Sequence, residues 1–124
     1  MILIQISSSI NLPDKAMVQR RLSQVSARRQ ALVRQCQQIG FGKIVNFAVH
    51  DGDPVILAET EVLVDVKLDC DENPRAERDL SDFALTAELV RLFSKFDAIQ
   101  NGIVDHLEVR AGIPRRIVFK FLGE

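Results

Sequence analysis

Tryptophan and tyrosine are both missing from the 124 residues, so seven phenylalanines make up the whole aromatic content. Several of these fall at core-phased positions, which leaves little from which to build a base-stacking platform for single-stranded nucleic acid. Cysteine is almost as scarce. Cys36 sits inside a helical pattern and Cys70 in a charged stretch, a pair that does not form a disulfide framework and points to a reducing, cytoplasmic setting. No long apolar run occurs. The opening "MILIQISSSI" lacks a basic flank and is too short for a signal peptide or a membrane span, so no membrane partner is expected.

Motif absences narrow the chemistry further. There is no P-loop, no G-x-G-x-x-G and no G-x-S-x-G. Neither His50 nor His106 has a second histidine or a cysteine at ligand spacing, so no metal and no cofactor are expected. Cys70 lies among Asp69, Asp71 and Glu72, which oppose thiolate formation and make it a poor nucleophile. His50 beside Asp51 has the composition of an acid–base pair, but a polar residue next to a turn is most simply solvated. These absences point away from an enzyme and leave no catalytic residue to name.

What is present begins with 47% hydrophobic content, enough for one domain over residues 1–124 without metal or disulfide support. Charge nearly cancels overall but is segregated along the chain. Residues 1–50 hold seven bases against Asp14 alone, residues 51–82 hold eleven acids against three bases, and the remainder is close to balanced. A basic first helix is therefore followed by an acidic middle.

A shift of 60 residues aligns the chain with itself. Over residues 25–58 it gives seven identities, among them Gly42 on Gly102, Gly52 on Gly112 and Pro54 on Pro114. The matches include residues with special backbone roles, so each copy reads as a helix and a β-hairpin, approximately 14–69 and 80–122, joined by a charged linker over 70–79. Val18, Leu22, Val25, Leu32, Cys36 and Ile39 place one apolar stripe on a first helix of roughly 25 residues that begins after Asp14. Leu85, Leu89, Leu92, Phe96 and Ile99 do the same for a second helix, with Ser81 or Asp82 as its cap. Gly40 or Gly42 stops the first helix and Gly102 the second.

Asp51-Gly52 marks a tight hairpin turn, and the returning strand is expected to alternate through Val62, Val64, Val66 and Leu68. In the second hairpin Ile103, Leu107 and Val109 share a face, which gives Asp105 an inward parity that a bulge explains most simply. With Ile2, Ile4 and Ile6 as a leading strand, the expected fold is α+β. Two helix-plus-hairpin repeats follow that strand, and two helices pack on a mainly antiparallel sheet of about five strands. A ferredoxin-like variant fits the same string of elements.

The stretch "LVRQCQQIGFGKIVNFAVHDGDPVILAE", with Gly42 and the Asp51-Gly52 turn, resembles a small bacterial helix-plus-β-hairpin family of unassigned function over roughly a quarter of the chain. The resemblance implies the supersecondary unit and no activity. This chain differs in carrying two such units and a leading strand.

The candidate interaction residues are the arginines. Arg21 and Arg28 fall on one side of the first helix, Arg20 and Arg34 broaden the polar surface, and Arg29 lies on the apolar stripe and so requires a carboxylate partner or an exposed end. Arg110, Arg115 and Arg116 form a second patch near the second turn. Asp105 and His106 are the remaining pocket candidates. A non-catalytic protein-interaction or assembly module, acting as a homodimer or with another protein partner, is the expected function. The alternatives are a nucleic-acid-binding or regulatory protein that uses the arginine-rich helix and, least favoured, a small-molecule-binding protein or enzyme.

Overall fold

A computed structural model describes residues 20–69 and 76–122. The expected leading strand, the helix start at Asp14, Cys70 and most of the linker lie outside the described residues. Two helices, α1 (Ala27–Ile39) and α2 (Ala87–Ile99), accompany five strands: β1 (Gly42–His50), β2 (Asp53–Val55), β3 (Glu61–Val64), β4 (Gly102–Arg110) and β5 (Ile113–Leu122). The fold is α+β, with both helices on an antiparallel sheet.

Both helices are shorter at their N-termini than the apolar spacing suggests. Ser26 caps α1 by accepting a hydrogen bond from the Arg29 N–H at 3.2 Å, and Thr86 caps α2 by accepting from Leu89 N–H at 3.3 Å. Leu22 begins a short 3₁₀ turn and Val25 is extended, yet both are buried. Their three-residue spacing imitates a helical stripe because they reach the same core from a different backbone. Asp82, one of the expected caps, instead accepts from the Ser23 N–H at 2.9 Å, and Ser81 is exposed.

The helices end in matching γ-turns. Phe41 N–H donates to Ile39 O at 2.8 Å around Gly40, and Asn101 N–H donates to Ile99 O at 2.6 Å around Gln100. Gly40 is therefore the stop of α1, and Gln100, not Gly102, is the stop of α2. Gly42 allows close strand pairing instead, because a Cβ there would overlap the Leu63 carbonyl oxygen of β3.

The strand order is β2-β1-β4-β5, with β3 pairing to β1 further along the same edge that β2 occupies. Every described ladder is antiparallel. The two hairpins meet through their first strands, with Gly42 opposite Val109 and Val49 opposite Gly102. This central position of β1 departs from a ferredoxin-like order, which would put the strand after the first helix at the edge. The bounds of α2 and β4 fall 60 residues after those of α1 and β1. Two further contacts follow the same offset: Gly52 N–H donates to Gln100 O and Gly112 N–H donates to Gly40 O, each at 2.8 Å. Each hairpin turn thus ties to the end of the other helix.

Both turns place two residues at positive φ, Asp51 and Gly52 in one, Ala111 and Gly112 in the other. That backbone twist matches the flanking strands. The first returning strand is broken, not continuous to Leu68. Thr60 donates its hydroxyl to Asn46 O at 2.6 Å and accepts from Leu57 N–H at 2.8 Å, which stabilises a turn over 57–60 between β2 and β3.

The core lies between helices and sheet, around Phe47, Phe96, Ile44, Val104 and Leu107, all nearly inaccessible. Burying each such side chain contributes about 1.5–3 kcal/mol before conformational entropy is counted. The inward set of β4 is Val104, Leu107 and Val109, with Ile103 on the other face. A register shift between Val104 and His106 places an extra residue at Asp105 and changes the parity. Asn46 at φ 64 does the same for β1, where Ile44 and Phe47 both face the core.

Candidate interaction surfaces

Five arginines near the first helix have diverging roles. Arg29 is 6% exposed, the one charged side chain among the buried described residues. Its Nη2 donates to Gly52 O at 2.8 Å and to Asp97 Oδ1 at 2.5 Å, and its guanidinium lies 5.1 Å from the Phe93 ring centroid. This cation is consumed inside the fold, so Arg29 is not an accessible contact residue; the carboxylate its place on the stripe requires comes from α2.

Arg34 also turns inward. It donates to Gln37 Oε1 at 2.8 Å, to the carbonyls of Glu77 and Arg78 at 3.4 and 3.5 Å, and to the Leu80 carbonyl. These oxygens close a 3₁₀ turn (Ala76–Asp79), and a cation suits such carbonyl ends. Arg21 Nε donates to Asp82 Oδ2 at 2.9 Å. The Asp82 carboxyl is held down at about 2, first by the Ser23 backbone N–H and then by Arg21. Arg20 and Arg28 remain exposed. The basic face expected of the first helix is therefore divided, with three of its five guanidiniums bonded inside the chain.

The second patch is also divided. Arg115 donates to Glu88 Oε2 at 3.0 Å, and Arg116 lies 3.6 Å from Glu108 Oε2. The Glu88 carboxyl is lowered first by a hydrogen bond from its own backbone N–H, with the nearby Arg115 charge acting in the same direction. Arg115, Arg116, Arg91 and Lys95 surround a groove of about 220 Å³ between α2 and β5, floored by Leu92, Leu107, Pro114 and Ile117. A groove of about 210 Å³ lies between α1 and β2, lined by Arg28, Ala31, Leu32, Gln35, Pro54 and Ile56. All six of those residues lie 60 positions before residues of the first groove, and the two grooves carry different chemistry. Arg110 instead borders a shallow cleft of about 680 Å³ with Lys43, Asp65 and Glu108.

Asp105 and His106 are brought together. His106 Nδ1 lies 2.7 Å from Asp105 Oδ2, and its Nε2 lies 3.6 Å from Glu108 Oε2. With Arg116 beyond Glu108, these groups form a polar row across the sheet face away from the helices, and none of the three grooves above is lined by Asp105 or His106. Among the described residues no cluster of three or more His, Cys, Asp or Glu could hold a metal. The His50–Asp51 pair is 3.4 Å apart and exposed. Cys36 is fully buried, and burial pushes its thiol up to about 12.

One surface escaped sequence reasoning because it depends on where a strand ends. Val62, Leu63 and Val64 of β3 are 42%, 49% and 55% exposed, and Val66 and Leu68 just beyond are 59% and 95% exposed. Alternation suggested that one side of this strand would be covered, and the signal that could have warned otherwise is the density of acids on both sides of it. Among the described residues, no helix is long and apolar enough to cross a membrane. No family model, curated protein or solved structure matches the chain.

Proposed function

We propose that this protein is a non-catalytic interaction and assembly module that associates with other copies of itself. The observation that supports the reading is the apolar edge around β3. Six of the seven large hydrophobic side chains exposed among the described residues fall between Ile56 and Leu68. β3 has a described partner, β1, on one side only. An edge strand with apolar side chains and open backbone groups is a template for another chain unless it is blocked.

The inward commitments of Arg29 and Arg34, with Arg21 paired to Asp82 at the surface, favour this reading over nucleic-acid binding by the first helix, since phosphate contacts need free cations. The buried Cys36 thiol and the scarcity of cysteine support a reducing location such as the cytoplasm. The test is the molar mass by light scattering across protein concentration, with nucleic acid first removed and then added back. A mass that rises with concentration and ignores nucleic acid is the expected result. A monomer that gains mass only with nucleic acid at low salt overturns the reading.

A further inference from the structure

We infer that the self-association is head-to-tail: β3 of one copy pairs with β5 of the next, so that the sheet continues from molecule to molecule. The inference rests on the proposed assembly function and specifies its geometry. Among the described strands, the β3 side and β5 are the two edges of the sheet. Successive pairs β3–β1, β1–β4 and β4–β5 are all antiparallel, so β3 and β5 run in opposite directions. A second copy in the same orientation therefore presents its β3 antiparallel to the first copy's β5, with the helices of both copies on one side.

Charge selects this arrangement over the two-fold alternatives. Residues 59–69 carry Glu59, Glu61, Asp65 and Asp69 against Lys67, a net charge of −3. β5 carries Arg115, Arg116 and Lys120 with no acid, a net charge of +3. Pairing β3 with β3 or β5 with β5 opposes like charges, whereas β3 with β5 opposes unlike ones.

The side chains agree residue by residue. Val62 pairs with the buried Ile44, so Val62 and Val64 lean towards the helix side, while Leu63, opposite the exposed Lys43, faces away. On β5, Ile117 and Phe119 pair with the buried Leu107 and Val104, while Arg116 and Val118 pair with Glu108 and His106 on the outer face. An antiparallel register that sets Val64 opposite Ile117 also sets Val62 opposite Phe119 on the helix side. On the outer face it sets Asp65 opposite Arg116 and Leu63 opposite Val118. Apolar meets apolar and acid meets base in every one of these pairs. The Asp65 N–H already donates to Phe41 O on the β1 side, so strand alternation directs the backbone groups of Val64 and Val62 to the free side where the next copy would bond. Such a contact joins two different surfaces and does not close on two copies.

Charge reversal separates the arrangements. Asp65→Arg and Arg116→Glu are each prepared alone, mixed in equal amounts, and combined in one chain. Circular dichroism and the urea midpoint check that each variant is folded, and Arg116→Gln serves as a second variant that introduces no repulsion with Glu108. The expected result is a wild-type mass that passes two copies as concentration rises and falls with salt. Each reversal alone lowers association at least tenfold, while the mixture and the double variant recover it. Arg116→Glu and Arg116→Gln that associate like wild type overturn the head-to-tail geometry and leave the assembly reading standing. A wild-type chain that remains monomeric at every concentration overturns both.

Discussion

Arg29 on α1 reaches across the fold to Asp97 on α2, with Nη2 and Oδ1 2.5 Å apart, while the same nitrogen holds the Gly52 carbonyl at the first hairpin turn. One buried cation therefore joins three elements that are distant in sequence. Removing it leaves Gly52 O without its buried donor and the Phe93 ring without its cation. Arg29→Ala should cost about 2–4 kcal/mol of folding stability, read from urea unfolding. Asp97 is 66% exposed at its side chain, so Asp97→Asn should cost less than about 1 kcal/mol. Equal costs for the two variants would show that the ion pair, not the Gly52 bond, dominates.

Asp82 connects the 3₁₀ turn (Leu22–Gln24) to the segment before α2 by accepting from Ser23 N–H, Ser23 Oγ and Arg21 Nε. Its folded-state pKa of about 2 lies below the ordinary 3.8. The ionised form is therefore favoured by folding, and its contribution is present above 3.8 and lost as pH falls through about 2. Asp82→Asn should lower the urea midpoint at neutral pH and flatten the acid side of the stability profile. An unchanged acid slope in the variant would assign that slope to other carboxylates.

The thiol of Cys36 is both inaccessible and, by burial, raised to about 12. Reaction with a thiol reagent needs a thiolate and access to it, and the native fold supplies neither. In a Cys70→Ser background, labelling at neutral pH should proceed only as fast as the fold opens, and denaturant should accelerate it steeply. Rapid labelling without denaturant would mean that α1 detaches from the sheet on its own.

Much of the architecture is visible in spacing and punctuation, and what is not visible has identifiable causes. Leu32, Cys36, Ile39, Leu89, Leu92 and Phe96 mark two helices because helical periodicity and burial coincide there. Leu22 and Val25 mislead because a 3₁₀ turn followed by an extended residue can bury the same positions. The true caps, Ser26 and Thr86, align under the 60-residue shift and are both good N-cap types, a signal that outranks the nearest acid. Parity in β1 and β4 is lost at Asn46 and Asp105, where one residue alters the face of every later side chain. The arginines of the candidate surface are legible as charges but not as partners, because Asp97, Asp82 and the carbonyls of Glu77, Arg78 and Leu80 are brought to them only by tertiary packing.

The two helix ends pose the same backbone problem with different residues. Gly40 has φ 72 and ψ −72, and Gln100 has φ 62 and ψ −49, each at the centre of a γ-turn. A side chain in this region crowds its own backbone, a cost of about 1–2 kcal/mol that glycine avoids. Among the described residues nothing lies within 4 Å of a Cβ added at Gly40, so Gly40→Ala isolates the backbone cost from any packing clash with them. It should destabilise by about 1–2 kcal/mol. Gln100→Gly runs the comparison in reverse. It relieves the same strain but gives up the Gln100 Nε2 bond to Asp97 O and adds freedom to the unfolded chain. A net gain of about 0.5–1 kcal/mol is expected, read as a higher urea midpoint with an unchanged slope. A loss on Gln100→Gly would show that its side-chain bond outweighs the strain, and that α2 is held at its end by Gln100 itself.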